Sequence, residues 1–307
     1  MVALRTRGQQ TPGARFIDPK VLGRIKDLEF VARTVVDGFI SGLHRSPFLG
    51  LSIDFAEHRA YMPGDDIRRI DWRLFARTDR YYVKEYEADT NANFVTVLDV
   101  SRSMDYGSQG MTKLEYAKFL SACLTYLSSK QRDRVGLITF GDDIVDVVPA
   151  SAKHFDTVLH TLDRLQPVPR GEFVAPLRKV AETLNRRSII AFISDLYEDP
   201  EVVVESLNGL RFRGHDVVVF HLLDPAEIVF AFDESGSYQD LETGQKLSVI
   251  PEQLRAAYQE RISEHRRRLA KRLGENRIDY SFHDISQPLD QALFAYLADR
   301  QRMSRVR

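Results

Sequence analysis

The residues best suited to chemistry lie in the loop Asp99-Val-Ser101-Arg-Ser103, directly after the apolar run 94–98. One carboxylate and two hydroxyls at alternate positions can converge on a small, hard cation. Mg²⁺ takes oxygen ligands in octahedral geometry and keeps some of its waters, so a few protein oxygens suffice. Asp195, at the end of a later apolar run, can supply a second carboxylate. These four residues predict a Mg²⁺ site, with Mn²⁺ or Ca²⁺ as alternatives.

The same residue types also have an ordinary structural role. Serine and aspartate are frequent after strands because their side chains bond to the backbone of turns and helix starts. The metal interpretation therefore depends on the surroundings of the loop. A strand precedes it, and a capping box, Thr112-Lys-Leu-Glu115, opens a helix after it. In open α/β sheets, ligands bind beyond the carboxyl ends of strands where the topology reverses, which is where this loop is predicted to lie.

Strand and helix patterns alternate from residue 93 onward. Strands are predicted at 94–98, 135–140, 144–148, 188–193, 216–222 and 279–283. Helices are predicted after Thr112, around 153–165 and 174–186, from Pro251 and from Pro288. The periodicity of the helix from Pro251 predicts these residues on its inward side: Leu254, Tyr258, Ile262, His265, Leu269 and Leu273. This alternation predicts an α/β fold with a doubly wound, mostly parallel sheet and helices on both faces.

The chain is divided into four predicted parts. Residues 1–17 form a flexible N-terminal tail, and residues 18–90 form a long helix followed by a small module of strands and helix. Residues 91–302 form the wound domain, with a hairpin-like insertion near 225–250, and residues 303–307 form a basic tail.

The long helix is predicted to start at Asp18-Pro19, where a carboxylate precedes a proline. In the small module, strand-like alternation at 52–59 and 80–87 flanks the turn 62–66. Asp66 is expected to cap a short helix there.

Charged residues surround the single tryptophan of this module. The partner-binding candidates are Asp65, Asp66, Arg68, Asp71, Trp72 and Arg77, together with Arg102 and Met104 of the loop. Ion pairs and a stacked arginine–aromatic contact could recognise a partner protein. The same contacts could instead fix the module onto the wound domain.

Composition excludes several classes of function. A net charge of -1 gives no broad positive field, so no nucleic-acid partner is expected. Cys123 is the single cysteine, and the eight histidines have no H-E-x-x-H spacing, so neither a disulfide framework nor a conventional zinc site is predicted. No apolar stretch is long enough for a membrane span or a secretory signal, and a cytoplasmic location is expected.

Several motifs in order resemble one family. The loop from Asp99 to Met104 is similar to the metal-ion-dependent adhesion site of von Willebrand factor A domains. Together with that loop, further motifs resemble the domain-of-unknown-function 58 family: Gly64-Asp-Asp-Ile-Arg-Arg-Ile-Asp-Trp72, Ala76-Arg77, Val83-Lys-Glu-Tyr-Glu87, Ile193-Ser-Asp195, Arg213-Gly-His-Asp-Val217 and Asp224-Pro-Ala-Glu227. The resemblance implies a bacterial-type cytoplasmic protein that pairs with a MoxR-type AAA+ ATPase. Such pairs act in the chaperone-like assembly or activation of client complexes.

One loop departs from the adhesion-site pattern. Where von Willebrand A domains carry a threonine, this chain has Glu172, and residues 165–177 contain no threonine. As a ligand, Glu172 would hold the metal more tightly but neutralise more of its charge, so a partner's carboxylate would gain less Coulomb energy. If Glu172 points to solvent, the site is partial. Both alternatives stay open.

We expect a non-enzymatic adaptor that binds Mg²⁺, a MoxR-type ATPase and a client protein that the sequence does not name. One alternative is a metal-free interaction scaffold. Another is a Mg²⁺-dependent phosphohydrolase with Asp99 as nucleophile. Such hydrolases usually carry a second acid two residues later, where this chain has Ser101. The sequence has no P-loop and no G-x-G-x-x-G after a strand, so nucleotide binding has no support.

Overall fold

The computed structural model describes residues 27–45, 57–62, 70–85, 92–169, 173–231, 236–239, 246–249, 251–294 and 296–297. Within these ranges the strands are β1 (Glu57–Ala60), β2 (Tyr82–Glu85), β3 (Asn93–Asp99), β4 (Arg134–Phe140), β5 (Ile144–Ser151), β6 (Ser188–Ser194), β7 (Asp216–Leu223), β8 (Gly236–Gln239), β9 (Lys246–Val249) and β10 (Asp279–Asp284). The helices are α1 (Leu28–Arg45), α2 (Trp72–Thr78), α3 (Lys113–Lys130), α4 (Phe155–Arg164), α5 (Val174–Thr183), α6 (Pro200–Phe212), α7 (Pro225–Val229) and α8 (Pro251–Glu275). Residues 289–294 and 296–297 are also helical. The predicted tails, 1–17 and 303–307, and the predicted helix start at Asp18-Pro19 lie outside the described residues.

The described residues divide into two compact units, and α1 runs from one into the other. In the smaller unit, which holds residues 57–62 and 70–85, β1 and β2 pair in antiparallel fashion. The carboxylate of Asp71 accepts a hydrogen bond from the backbone N–H of Leu74 and so caps α2. The described helix thus starts at Trp72, and the cap expected of Asp66 lies outside the described residues.

The larger unit contains a six-stranded sheet in the order β10-β7-β6-β3-β4-β5. Neighbouring strands are parallel, except that β4 and the edge strand β5 are antiparallel. This arrangement confirms the predicted α/β class and its mostly parallel sheet. The edge strand reaches Ser151, three residues beyond the predicted end.

Helices cover both faces of this sheet. Val95 and Val97 of β3 point to one face and join a core with the apolar sides of α5, α6 and α8. Phe94 points to the opposite face, since successive strand residues alternate. Its ring contacts that of Tyr296 at 5.9 Å between centroids. α3 packs on β3 and β4 and against α4.

The long helix α8 begins at Pro251, as predicted, and buries Ile262 and Leu269. The predicted inward orientation of Leu254 is wrong, because 46% of this residue is exposed. The first turns of α8 lie against α7 instead of the sheet, as the hydrogen bond from Gln259 Nε2 to the carbonyl of Val229 shows. In the described part of the chain, no helix is both long and apolar enough to cross a membrane.

The segment after α7 carries one antiparallel pair of short strands, β8 and β9. It lies within the range where the sequence predicts a hairpin-like insertion.

Gly136 provides a test of the pairing between β4 and the edge strand. The register shifts at this residue, and a Cβ there would lie 2.8 Å from the carbonyl oxygen of Val148 and 2.9 Å from the backbone nitrogen of Ala150. Gly136→Ala should therefore lower the free energy of unfolding by roughly 1–3 kcal/mol in urea titrations. The control is Gly209→Ala in α6, where no atom lies within 4 Å. It should stabilise by about 0.5–1 kcal/mol, and equal effects of both variants would refute the steric argument.

Candidate cation-binding site at the carboxyl edge of the sheet

The candidate residues meet where the winding of the sheet reverses. β4 lies on one side of β3, and β6, the next parallel strand along the chain, lies on the other. Because β3 and β6 are parallel, with Leu98 level with Ile193, their carboxyl ends meet at one edge. Asp99 and Asp195 therefore flank the switch point, where ligands bind in open α/β sheets.

Hydrogen bonds fix the geometry of the loop after β3. Asp99 Oδ1 accepts from the backbone N–H of Ser101 at 2.9 Å, and Asp99 Oδ2 accepts from the hydroxyl of Ser194 at 2.7 Å. The hydroxyl oxygens of Ser101 and Ser103 lie 3.0 Å apart. The backbone is anchored by a hydrogen bond from the Val168 N–H to the carbonyl of Val100. The structure thus brings the three predicted ligands of the loop together.

The loop oxygens fit a hard cation. Adjacent ligands at about 2.1 Å from an octahedral Mg²⁺ lie about 3 Å apart, which matches the separation of the two serine hydroxyls. Among the described residues, no group of three His, Cys, Asp or Glu side chains could hold a metal. A cation here would therefore depend on Ser101 and Ser103 beside Asp99 and Asp195. Glu172, the other predicted ligand, lies outside the described residues.

The second carboxylate has a partner that the sequence analysis missed. The ammonium of Lys113 lies 2.9 Å from Asp195 Oδ2 and 2.7 Å from Glu227 Oε1, and the Lys113 side chain is 0% exposed. The ammonium also lies 4.9 Å from the ring centroid of Tyr197. Burial lowers the pKa of Lys113, but the two carboxylates outweigh it, and the pKa is raised. A permanent positive charge is thus built into this edge.

A second group of polar contacts continues from Lys113 to the end of β7. Asp224 caps α7, and its carboxylate accepts hydrogen bonds from both the backbone N–H and the hydroxyl of Ser108. Glu227 Oε2 accepts from the backbone N–H of Asp224. The loop that leads into α3 is thereby tied to α7.

The chain turns sharply after Asp195. Leu196 is buried and has a φ of 48°, in the left-handed region that leucine rarely adopts. Its N–H donates to the Ser194 hydroxyl, and its carbonyl accepts from His265 Nε2. Backbone strain of this kind is frequent at functional sites. The turn leads directly to Tyr197, which is 37% exposed beside the Lys113 ammonium.

The carboxylates of the edge affect each other. Burial first, and then the negative charge of Asp195, raise the pKa of Asp99 to about 6, although hydrogen bonds from Ser101 and Ser194 oppose the shift. Asp99 is therefore a costly charge in the absence of a further cation. This cost favours the binding of a cation next to it.

The partner candidates are found in different environments. Arg102 is exposed, whereas the Met104 side chain is buried and presents no surface to a partner. In the smaller unit, Trp72 is 58% exposed with its ring edge-on to Phe75, and Arg77 is exposed. Asp71 is the cap of α2, as described above. Asp65, Asp66 and Arg68 lie outside the described residues.

The larger unit is a doubly wound α/β domain with a mostly parallel sheet and an oxygen-rich edge at its switch point. The family model described as "Protein of unknown function DUF58" matches residues 57–268. The chain belongs to this family, as the motif resemblance implied.

Curated relatives cover most of the chain. An uncharacterized protein of Mycobacterium bovis is 29% identical over 261 residues, which are 83% of this chain and 81% of the relative. Uncharacterized proteins from two strains of Mycobacterium tuberculosis match with the same identity and coverage.

Solved structures resemble parts of the chain. The conserved hypothetical protein BatB from Bacteroides thetaiotaomicron is 18% identical with a TM-score of 0.48, covering 70% of this chain and 99% of that one. An aerotolerance-related membrane protein from Bacteroides fragilis is 20% identical with a TM-score of 0.44, covering 66% and 96% respectively.

The raised pKa of Asp99 predicts a pH-dependent stability. Between pH 3.8 and about 6 the folded protein keeps a proton that the unfolded chain has released, so this carboxyl lowers the free energy of unfolding as pH rises through that window. Asp99→Asn removes the effect. Without divalent cations, its stability relative to wild type should rise by roughly 2 kcal/mol between pH 4 and 7 in denaturant titrations.

The exposed Asp143 is the control for this titration. A hydrogen bond from Lys179 lowers the pKa of Asp143, so this carboxyl raises the free energy of unfolding as pH rises, opposite to Asp99. Asp143→Asn should show no rise in relative stability with pH. A flat difference between Asp99→Asn and wild type would contradict the assigned charge at Asp99.

Proposed function

We propose that this protein is a non-enzymatic, cytoplasmic protein-interaction adaptor that binds Mg²⁺ at the carboxyl edge of its sheet. Its proposed partners are a MoxR-type AAA+ ATPase and a client protein, in the chaperone-like assembly or activation of a client complex. The family membership supports the partner class through the motif resemblance, and the loop geometry supports the cation.

The convergence of the loop oxygens carries the proposal. The hydroxyls of Ser101 and Ser103 are separated by the distance between neighbouring ligands of an octahedral ion, and Asp99 lies in the same loop. Neutral hydroxyls as direct ligands leave most of the charge on the cation. When bound, Mg²⁺ would supply a Lewis-acidic position for a carboxylate of the partner.

The residues around the loop favour binding over hydrolysis. Asp99 is engaged on both oxygens, by the Ser101 N–H and the Ser194 hydroxyl. The position two residues later, where a phosphohydrolase usually has its general acid, is the buried hydroxyl of Ser101. Among the described residues, Ser101 and Ser194 hold the Asp99 carboxylate in place, and neither is a proton donor of suitable acidity.

A Mg²⁺ titration followed by thermal unfolding tests the cation. Selective binding to the folded state adds about 2.7 kcal/mol of stability at a hundredfold excess over Kd, so the midpoint of wild type should rise. Combining Ser101→Ala with Ser103→Ala removes two ligands and should abolish the rise.

Ser121→Ala is the matched control for this titration. Ser121 is buried in α3, and its hydroxyl has no hydrogen-bond partner among the described residues. This variant should keep the full Mg²⁺ effect. If Mg²⁺ does not change the unfolding midpoint of the wild type, the cation site is refuted and the metal-free scaffold remains. In that scaffold, Lys113 is the positive partner of Asp195.

The partner is tested by capture of a MoxR-type ATPase on the immobilised protein. Capture should occur in Mg²⁺, fall in EDTA and fall to the same extent in the Ser101→Ala, Ser103→Ala variant, because the partner's carboxylate would need the ion. Capture that survives both treatments would show that docking uses surface shape alone. Absence of any capture would refute the ATPase as partner.

A further inference from the structure

The buried ammonium of Lys113 lies between the candidate cation site and the start of α7. We propose that Lys113 is a fixed counter-ion of Asp195 that leaves the bound divalent cation enough positive charge to accept a carboxylate from a partner. This inference rests on the proposed function and adds to the same site a residue that sets how much positive charge the bound cation keeps.

The ammonium is held in place from both sides. Lys113 is the first residue of α3, and a reciprocal capping box between Thr112 and Glu115 fixes that helix start. On the other side, Glu227 Oε1 accepts from the ammonium while Glu227 Oε2 accepts from the backbone N–H of Asp224. The Lys113 side chain is 0% exposed, so water does not screen the charge of its ammonium. The charge therefore acts on the carboxylates it touches.

Asp195 is the carboxylate whose charge matters to the cation. Asp99 ends β3 and Asp195 follows β6, and the two strands are parallel neighbours with Leu98 level with Ile193, so both carboxylates lie at the same edge of the sheet. Alone, these two carboxylates would cancel the charge of a divalent ion. With the ammonium 2.9 Å from Asp195 Oδ2, part of that negative charge is already compensated. The ion then keeps a net attraction for an external carboxylate, which is amplified by the low dielectric of a buried edge.

The charge of Lys113 should have opposite effects on the binding of the cation and on the binding of an anion to the loaded site, and both can be measured. A nearby positive charge repels the divalent ion and so weakens its binding, and the same charge strengthens the binding of an anion to the loaded site. A residue that only stabilised the fold would change neither equilibrium in this opposed way.

Two variants isolate the charge of Lys113. Glu227→Gln leaves the ammonium bound to Asp195 and removes the charge of Glu227, with the loss of a hydrogen bond from either Lys113 or the backbone N–H of Asp224. Lys113→Met combined with Glu227→Gln removes the ammonium without leaving the Glu227 carboxylate unpaired, and methionine keeps an unbranched side chain. Comparison of the double variant with Glu227→Gln then reports the Lys113 charge alone.

Mn²⁺ is the probe ion, measured at pH 7.5 by electron paramagnetic resonance of the free ion. The double variant should bind Mn²⁺ at least tenfold more tightly than Glu227→Gln. Acetate is the probe carboxylate, and acetamide is its neutral control. Acetate should displace water from bound Mn²⁺, seen as a fall in water-proton relaxation, and its apparent affinity should be at least fivefold weaker in the double variant.

Glu227→Gln gives an independent arm if the double variant does not fold. Because it leaves the ammonium with one carboxylate fewer, it should bind Mn²⁺ at least threefold more weakly than wild type and acetate more tightly. Mn²⁺ affinities within twofold across all variants, or an unchanged response to acetate, would overturn the role of Lys113. Loss of the cation site itself would appear differently, as Mn²⁺ binding that is absent in wild type or indifferent to Ser101→Ala combined with Ser103→Ala.

Discussion

The parallel pairing of β3 with β6 is the constraint on which the candidate site depends. With Leu98 level with Ile193, the residues that follow each strand emerge at the same height. The Ser194 hydroxyl can therefore reach Asp99, and Asp195 follows directly at the same edge of the sheet. A slip by one residue would turn the side chains of one strand to the other face of the sheet. The buried core on both faces thus fixes the position of the polar edge.

The polar edge is a set of charges enclosed by apolar structure. The ammonium of Lys113 contacts the carboxylates of Asp195 and Glu227, and the negative charge of Asp195 acts in turn on the buried Asp99. Buried ion pairs are costly to desolvate, and their value is often positional instead of energetic. Here the position is well defined, because two capped helices, α3 and α7, begin at the edge and fix the side chains.

The sequence predicted those parts of the molecule that follow from short-range patterns. Apolar runs predict the order of the six strands of the large sheet, and Asp99, Ser101 and Ser103 are identifiable because they end or directly follow a strand. Helix α6 is not among the predicted elements, although Asp199 caps it and Pro200 begins it. The sequence predicts no role for Lys113 beyond its place inside a capping box. In the structure its ammonium links Asp195, which follows β6, to Glu227 of α7. Its partners Asp195 and Glu227 lie 82 and 114 residues away, a separation that no local pattern encodes. Asp224 could have been found by applying the strand-end rule to β7 as well. Leu254 was misassigned because helical periodicity does not indicate where the sheet beneath a helix ends.

The antiparallel strand β5 has a consequence for how molecules of this kind associate. An outer strand with free backbone groups can recruit a strand from another chain and begin edge-to-edge aggregation. β5 is poorly suited to that reaction, because its register with β4 is interrupted in two places and Pro149 contributes no backbone N–H. This side of the sheet therefore resists growth by strand addition, and another chain that exposes an unpaired strand finds no template there.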